Sequence, residues 1–161
     1  MDKRLYVIIH NVRSAYNVGS IFRTADGAGV SKIFLTGFSP APYDARKEAY
    51  PTTAQKMMAK TALGAEKTVS WERAKNISVV IEKLKKEKVK IIALEQAKNS
   101  VAINKYKPTF PCALILGNEV RGLDKDIIKK ADVVLEIPMR GKKESLNVSV
   151  SAGIAMYQLM A

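Results

Sequence analysis

Cys112-Ala113-Leu114-Ile115-Leu116-Gly117-Asn118-Glu119-Val120-Arg121-Gly122-Leu123 is an unbroken apolar run that stops at a glycine, followed by a loop in which a second glycine closes off an acid and a base. An apolar run with no polar alternation describes a strand buried on both faces. Glycines at such a strand end let the backbone turn sharply and approach a ligand.

Similar short runs rich in β-branched residues lie on either side of it. They are Leu5 to Ile9, Ile33 to Thr36, Val89 to Leu94 and Val133 to Ile137, which join Ala113 to Leu116 of that run, with a weaker candidate around Val69 to Trp71. Helical spacing falls between them, most clearly at Ile77, Val80, Ile81 and Leu84, where Asn76 is placed to cap the first turn. Asp124 is placed to cap a short helix through Ile127 and Ile128. Strands alternating with helices predict an α/β fold, a mostly parallel sheet of about six strands with helices on both faces. No repeat or low-complexity tract interrupts the pattern, so residues 1–161 read as one domain.

Lys and Arg total 27 against 15 Asp and Glu, a formal net charge of +12, which favours a polyanionic partner such as nucleic acid. Taken alone, a charge run such as Glu82 to Lys90 is a solvated helix face. The lone cysteine, Cys112, has no internal disulfide partner and sits in the apolar run as a buried thiol, which fits a reducing, cytoplasmic setting. The run Leu5 to Ile9 falls short of the roughly 7 to 15 residues of a signal-peptide core, and no segment reaches membrane-spanning length.

Common nucleotide sites are missing. Gly117 to Gly122 has the glycine spacing of a phosphate loop, but Leu123 and Asp124 stand where Lys and Ser or Thr are required. The first strand runs into His10-Asn11-Val12-Arg13 and a single Gly19 rather than a dinucleotide fingerprint. His10 is the only histidine, so no histidine-based triad or multi-histidine metal site can be assembled, and any chemistry runs without a metal.

Three polar loops at strand ends remain. The first opens a helix, Asn11-Val12-Arg13-Ser14-Ala15-Tyr16-Asn17-Val18-Gly19-Ser20-Ile21-Phe22-Arg23, with Asn17 near its start and Arg23 among apolar neighbours about two turns in. The second is Gly117 to Gly122. The third, Ile137-Pro138-Met139-Arg140-Gly141-Lys142-Lys143-Glu144-Ser145-Leu146-Asn147, leads into a helix rich in small residues. Singly, Ser145 or Asn147 is a helix cap, Glu119 and Arg121 a surface pair, and the glycines turn residues. Together at the carboxyl ends of parallel strands they predict one ligand site. The stretch Ser39 to Thr53, with Arg46 and Lys47, is either a substrate-facing loop or a surface connection.

In that order, N-V-G-S-I-F-R-T-A, L-I-L-G-N-E-V-R-G-L and I-P-M-R-G-K-K-E-S-L-N-V-S-V-S-A-G-I-A resemble the three motifs of the SpoU branch of the SPOUT methyltransferases, across nearly the whole chain. The resemblance implies an RNA ribose 2′-O-methyltransferase acting on tRNA or rRNA, a deep carboxyl-terminal trefoil knot and a homodimer. It implies S-adenosylmethionine as cofactor, held by Leu94, Gly117, Ile137, Leu146 and Ser145. It also implies that the motif-one helix of one subunit faces the cofactor pocket of the other, with the small face of Ser149, Ser151, Ala152 and Ala155 suiting close packing.

The catalytic residues so implied are Arg23, Asn17, Glu119, Ser145 and Asn147. An arginine stays protonated, so Arg23 is expected to clamp phosphate and stabilise developing charge on the ribose oxygen rather than act as base, with Asn17 and Glu119 orienting it. Arg13, Arg23, Arg46 and Arg121 are the expected RNA contacts. The stretch Arg13-Ser14-Ala15-Tyr16 departs from the Asp-Pro common before the motif-one Asn, which makes Arg13 an added phosphate contact. With the chain ending at Ala161, recognition is expected to use the catalytic domain and its dimer surface. The rival readings are a non-catalytic RNA-binding protein of the same fold and a SPOUT base methyltransferase.

Overall fold

The computed structural model describes residues 3–161. Its strands are β1 (Leu5–His10), β2 (Lys32–Thr36), β3 (Trp71–Ala74), β4 (Lys90–Leu94), β5 (Val101–Ala102), β6 (Cys112–Leu116) and β7 (Val133–Glu136). The helices are α1 (Ala15–Ala28), α2 (Thr53–Ala62), α3 (Ala65–Thr68), α4 (Ile77–Lys86), α5 (Lys125–Lys130) and α6 (Val148–Met160). The strands form one parallel sheet of seven in the order β3-β2-β1-β6-β4-β7-β5.

The most continuously apolar strand, β6, lies in the middle with every residue buried, as a strand covered on both faces must. Side chains alternate between two cores. One face sets Val7, Ile9, Leu35, Leu114 and Leu116 against α1, α2 and α6; the other sets Ile8, Phe34, Ile91, Ala93 and Ile115 against α4 and α5. Ile77, Val80, Ile81 and Leu84 are the buried face of α4, and Asn76 Oδ1 caps it by accepting from Ser78 N at 2.8 Å. Gly19 lets α1 meet α2 closely, because a Cβ there would run into Thr61 Oγ1 and the Met58 carbonyl.

Several expectations need correction. The sheet gains β5, two residues long and too short to show any period. The weak candidate at Val69 to Trp71 is displaced along the chain: α3 ends at Thr68 and the strand runs Trp71–Ala74. Asp124 stands at the N-cap of α5 without a capping side-chain hydrogen bond. Ala152 and Ala155 are fully buried inside their own chain, in the core shared with α1, so the outward face of α6 is instead Val150, Ile154 and Tyr157. Cys112 is buried, and burial pushes its thiol up to about 12, as suits a packing residue. Among the described residues no helix is long and apolar enough to cross a membrane.

Candidate functional site

Strands β4, β6 and β7 end side by side, and the loops that leave them surround a cavity of about 330 Å³. Its walls include Leu94, Leu116, Gly117, Ile137, Ser145 and Leu146. In open parallel sheets this carboxyl end is where ligands bind. Gly117 brings the second loop tight against itself, since a Cβ there would lie 2.7 Å from Gly122 C and 2.8 Å from Leu123 Cγ.

The second loop is tied at each turn. Asn118 and Gly122 exchange backbone hydrogen bonds, and Asn118 Oδ1 accepts from Val120 N at 3.0 Å and Arg121 N at 2.9 Å. Asn118 Nδ2 donates to the Asn11 carbonyl at 2.8 Å. Behind the loop, Glu95 Oε2 accepts from Leu123 N at 2.9 Å, and Gly122, at φ 66°, leaves room for that carboxylate.

Glu119 joins the three loops. Its Oε2 accepts from Arg13 N at 3.0 Å, while its Oε1 accepts from Ser14 N at 3.0 Å and from Asn17 Nδ2 at 3.3 Å. Asn17 Oδ1 in turn accepts from Asn147 Nδ2 at 3.2 Å, and Asn147 Oδ1 caps α6 by accepting from Ser149 N at 2.9 Å. One hydrogen-bonded chain thus runs from the second loop through the first to the third. Partial burial pushes the Glu119 carboxyl up, but the donors from Ser14, Arg13, its own N–H and Asn17 outweigh that and hold it below the usual carboxylate range.

The cavity lining has the opposite sign to the protein. Glu95, Glu119, Glu136 and Glu144 border it and, among the described residues, no Lys, Arg or His does, although the chain carries +12 overall. Such a site favours a small cationic ligand and leaves phosphate to the basic exterior.

Of the expected site residues, Leu94, Gly117, Ile137, Leu146, Ser145 and Glu119 border the cavity, and Asn17 and Asn147 stand at its rim through Glu119. Ser145 does not cap α6, which Asn147 does. Glu119 and Arg121 are not a surface pair, because Glu119 is engaged by motif one.

Arg23 is exposed, with no hydrogen bond or ion pair among the described residues, so Asn17 and Glu119 do not orient it within one chain. Six residues along a helix leave Asn17 and Arg23 about 120° apart around the axis, which is the reason. Arg13 and Arg121 are exposed beside the second loop. Arg46 is elsewhere, fastened to Asp44 by two side-chain hydrogen bonds of 2.9 Å; these pull the Asp44 carboxyl down to about 2.

Sequence reasoning missed Glu95, Asn118 and Asn11. The signal for Glu95 was available, an acid directly following the buried strand that supplied Leu94.

Comparison with known proteins agrees with this geometry. The chain is 32% identical over 158 residues to the tRNA (guanosine(18)-2'-O)-methyltransferase of Aquifex aeolicus, covering 98% of this chain and 69% of that one. It is 32% identical over 155 residues to the 23S rRNA (guanosine-2'-O-)-methyltransferase RlmB of Coxiella burnetii, covering 96% of this chain but 57% of that one. The crystal structure of an AdoMet-bound rRNA methyltransferase from Sinorhizobium meliloti superposes with a TM-score of 0.83 at 26% identity, over 98% of this chain and 56% of that one. The chain therefore spans little more than half the length of several proteins it matches. Residues 4–157 match the model of the SpoU rRNA Methylase family, and the chain belongs to that family.

Proposed function

We propose that the protein transfers a methyl group from S-adenosylmethionine to a ribose 2′-hydroxyl of tRNA or rRNA. The observation that carries this reading is the chain Glu119–Asn17–Asn147, which gathers three motifs separated by up to 130 residues at the mouth of one cavity. The names of relatives acting on tRNA and on 23S rRNA support an RNA substrate.

The residues present fit the cofactor. Leu94, Leu116, Ile137 and Leu146 offer an apolar slot for an adenine, and the four glutamates suit a sulfonium with an attached ammonium. The cofactor, when bound, supplies an electrophilic methyl group. Gly117 gives close backbone approach, Ser145 and Asn147 hold substrate and cofactor, and Glu119 fixes the first loop against the second. Arg23 clamps the phosphate beside the target ribose and stabilises negative charge as the hydroxyl loses its proton to a phosphate oxygen or water.

Arg23 works on this reading in a homodimer. Thr24, its neighbour, meets Gly153 of α6 at 3.5 Å for a Cβ built there, so exposed Arg23 is carried on the helix that packs against α6, whose exposed stripe is Val150, Ile154 and Tyr157. A second copy covering that stripe receives Arg23 at its own cavity. Residues 1–161 act as one methyltransferase domain, and the segment through β6, β7 and α6 is threaded as the family's trefoil knot. Arg13 and Arg121 join Arg23 on the RNA backbone.

The deciding experiment measures turnover of Arg23→Lys and Arg23→Ala on in vitro tRNA and rRNA transcripts at saturating S-adenosylmethionine. Each is expected to lose at least about a hundredfold, with cofactor affinity retained. Near-wild-type turnover in either variant removes Arg23 from the reaction.

A further inference from the structure

Strands β1, β2 and β3 end in register, His10 beside Thr36 and Thr36 beside Ala74, so the residues just beyond them form a continuous rim. Phe38 stands on that rim and is 56% exposed. Its backbone is nonetheless fixed from both sides. Asn11, at φ 54°, accepts from Phe38 N through Oδ1 at 3.1 Å; Gly37, at φ 63°, donates to the Lys75 carbonyl at 3.3 Å; and Ser39 N closes the turn on the Thr36 carbonyl at 3.3 Å. The buried Ser39 hydroxyl accepts from Val12 N at 3.0 Å and donates to the Ile9 carbonyl at 2.9 Å. A Cβ on Gly37 would overlap the Asn11 side chain, so the arrangement depends on both unusual backbone conformations.

A rigid turn that presents a large apolar ring to water contributes nothing to the core. It does preorganise a flat contact surface. The position is also specific: Asn11 gives its carbonyl to Asn118 of the second loop, so a single residue separates the Phe38 turn from the loop that walls the cavity. The exposed residues Arg13 and Lys75 flank the turn, and Arg73 reaches the Ser39 carbonyl with Nη1 at 3.1 Å. The Glu119 carboxylate, on the neighbouring second loop, is taken up by the donors of motif one. A ligand that offers a π-face together with phosphates at short spacing is single-stranded nucleic acid.

We propose that Phe38 is a stacking platform for a base of the RNA strand passing the cavity, with Arg13 and Lys75 on its phosphates. This rests on the RNA-methyltransferase reading and names the surface that holds a nucleotide neighbouring the target.

The test compares wild type with Phe38→Ala, Phe38→Leu and Phe38→Trp, using fluorescence anisotropy with two labelled probes: an unstructured RNA oligonucleotide and an in vitro tRNA transcript. Alanine and leucine are expected to weaken binding of both by roughly 5- to 150-fold, tryptophan to restore it, and calorimetric affinity for S-adenosylmethionine to stay unchanged in all three. Leucine binding as well as phenylalanine, tryptophan failing to rescue, or a wild type that binds neither probe overturns the proposal. So does a change of oligomeric state in Phe38→Ala, which would assign the ring to a second copy of the chain. If the stacking pattern appears but the wild type binds no S-adenosylmethionine and methylates no RNA, the enzymatic reading falls while the platform stands.

Discussion

Between Gly117 and Gly122 the polar groups are tied to one another and to three other parts of the chain, through Asn11, Glu95 and the Arg13–Asn17 turn. Between Pro138 and Leu146, on the opposite wall of the same cavity, all but Met139 are exposed, and among the described residues the one hydrogen bond to the stretch runs from Gln96 Nε2 to the Glu144 carbonyl at 2.6 Å. The first wall is built before a ligand arrives, which spares ordering cost on binding. The second has few bonds to break, so it can adjust around whatever the first wall holds. The division suits the proposed function, in which one wall grips a small cofactor and the other yields to an RNA strand.

A pair of glycines tests that contrast most severely. At Gly117 a Cβ would sit 2.9 Å from the Gly122 carbonyl oxygen as well as against Leu123, whereas at Gly141 it would meet nothing within 4 Å. Gly117→Ala is expected to displace the second loop, lowering stability by about 1–3 kcal/mol and S-adenosylmethionine affinity about a hundredfold. Gly141→Ala is expected to stay within about 0.5 kcal/mol and twofold. Thermal melts and calorimetry read both quantities, and equal behaviour of the two variants would erase the distinction between the walls.

A second pair isolates hydrogen bonding from charge. Glu119 and Glu144 both border the cavity, but only the Glu119 side chain receives donors from another loop. Glu119→Gln replaces one acceptor oxygen by an amide that faces a backbone N–H, donor against donor. The expected cost is about 1–3 kcal/mol, read as a roughly 5- to 150-fold loss of cofactor affinity. Glu144→Gln removes the same charge from an exposed side chain and is expected to change affinity less than about threefold. Equal losses would mean that charge at the cavity, and not the bonded wall, governs binding.

How far the sequence discloses this organisation follows from the range of each interaction. β6 and its glycine stop are legible because burial on both faces leaves an uninterrupted apolar run, whereas Leu94, Ile137 and Leu146 are reached as ligand contacts only through the family resemblance, since nothing in their local pattern marks that role. β5 is not legible, since two residues have no period. Nor was α2 evident: only Met58 and Ala62 of its ten residues are buried, so its apolar face is faint. Glu95 holds Leu123 across 28 positions, and Asn118 holds Asn11 across 107, contacts that no local pattern encodes. Arg23 shows the reverse case. Its phase on α1 is computable from spacing alone, and that phase already separates it from Asn17.

The smallest effect probes the bonded wall through its connection to the only histidine. His10 is buried, with Nδ1 2.9 Å from Thr36 Oγ1 and Nε2 3.2 Å from Asn11 Nδ2. An amide N–H can only donate, so Nε2 accepts and the proton belongs on Nδ1, donated to Thr36. Burial disfavours the charged ring and pulls its pKa below 6.5, against a weaker opposing pull from Asp124. As pH falls through 6.5 the unfolded chain therefore takes up a proton that the native state refuses, and native stability declines until the pH reaches the lowered native pKa. The slope cannot exceed about 1.4 kcal/mol per pH unit for one proton. The window lies above the ordinary titration of carboxylates, and no second histidine shares it. Denaturant unfolding at pH 7.5, 6.5 and 5.5 is expected to show this loss in the wild type and a flat profile in His10→Gln. A wild type equally stable at all three values would mean that the ring accepts its second proton without disturbing Asn11, and that the anchor of the bonded wall is looser than its hydrogen bonds indicate.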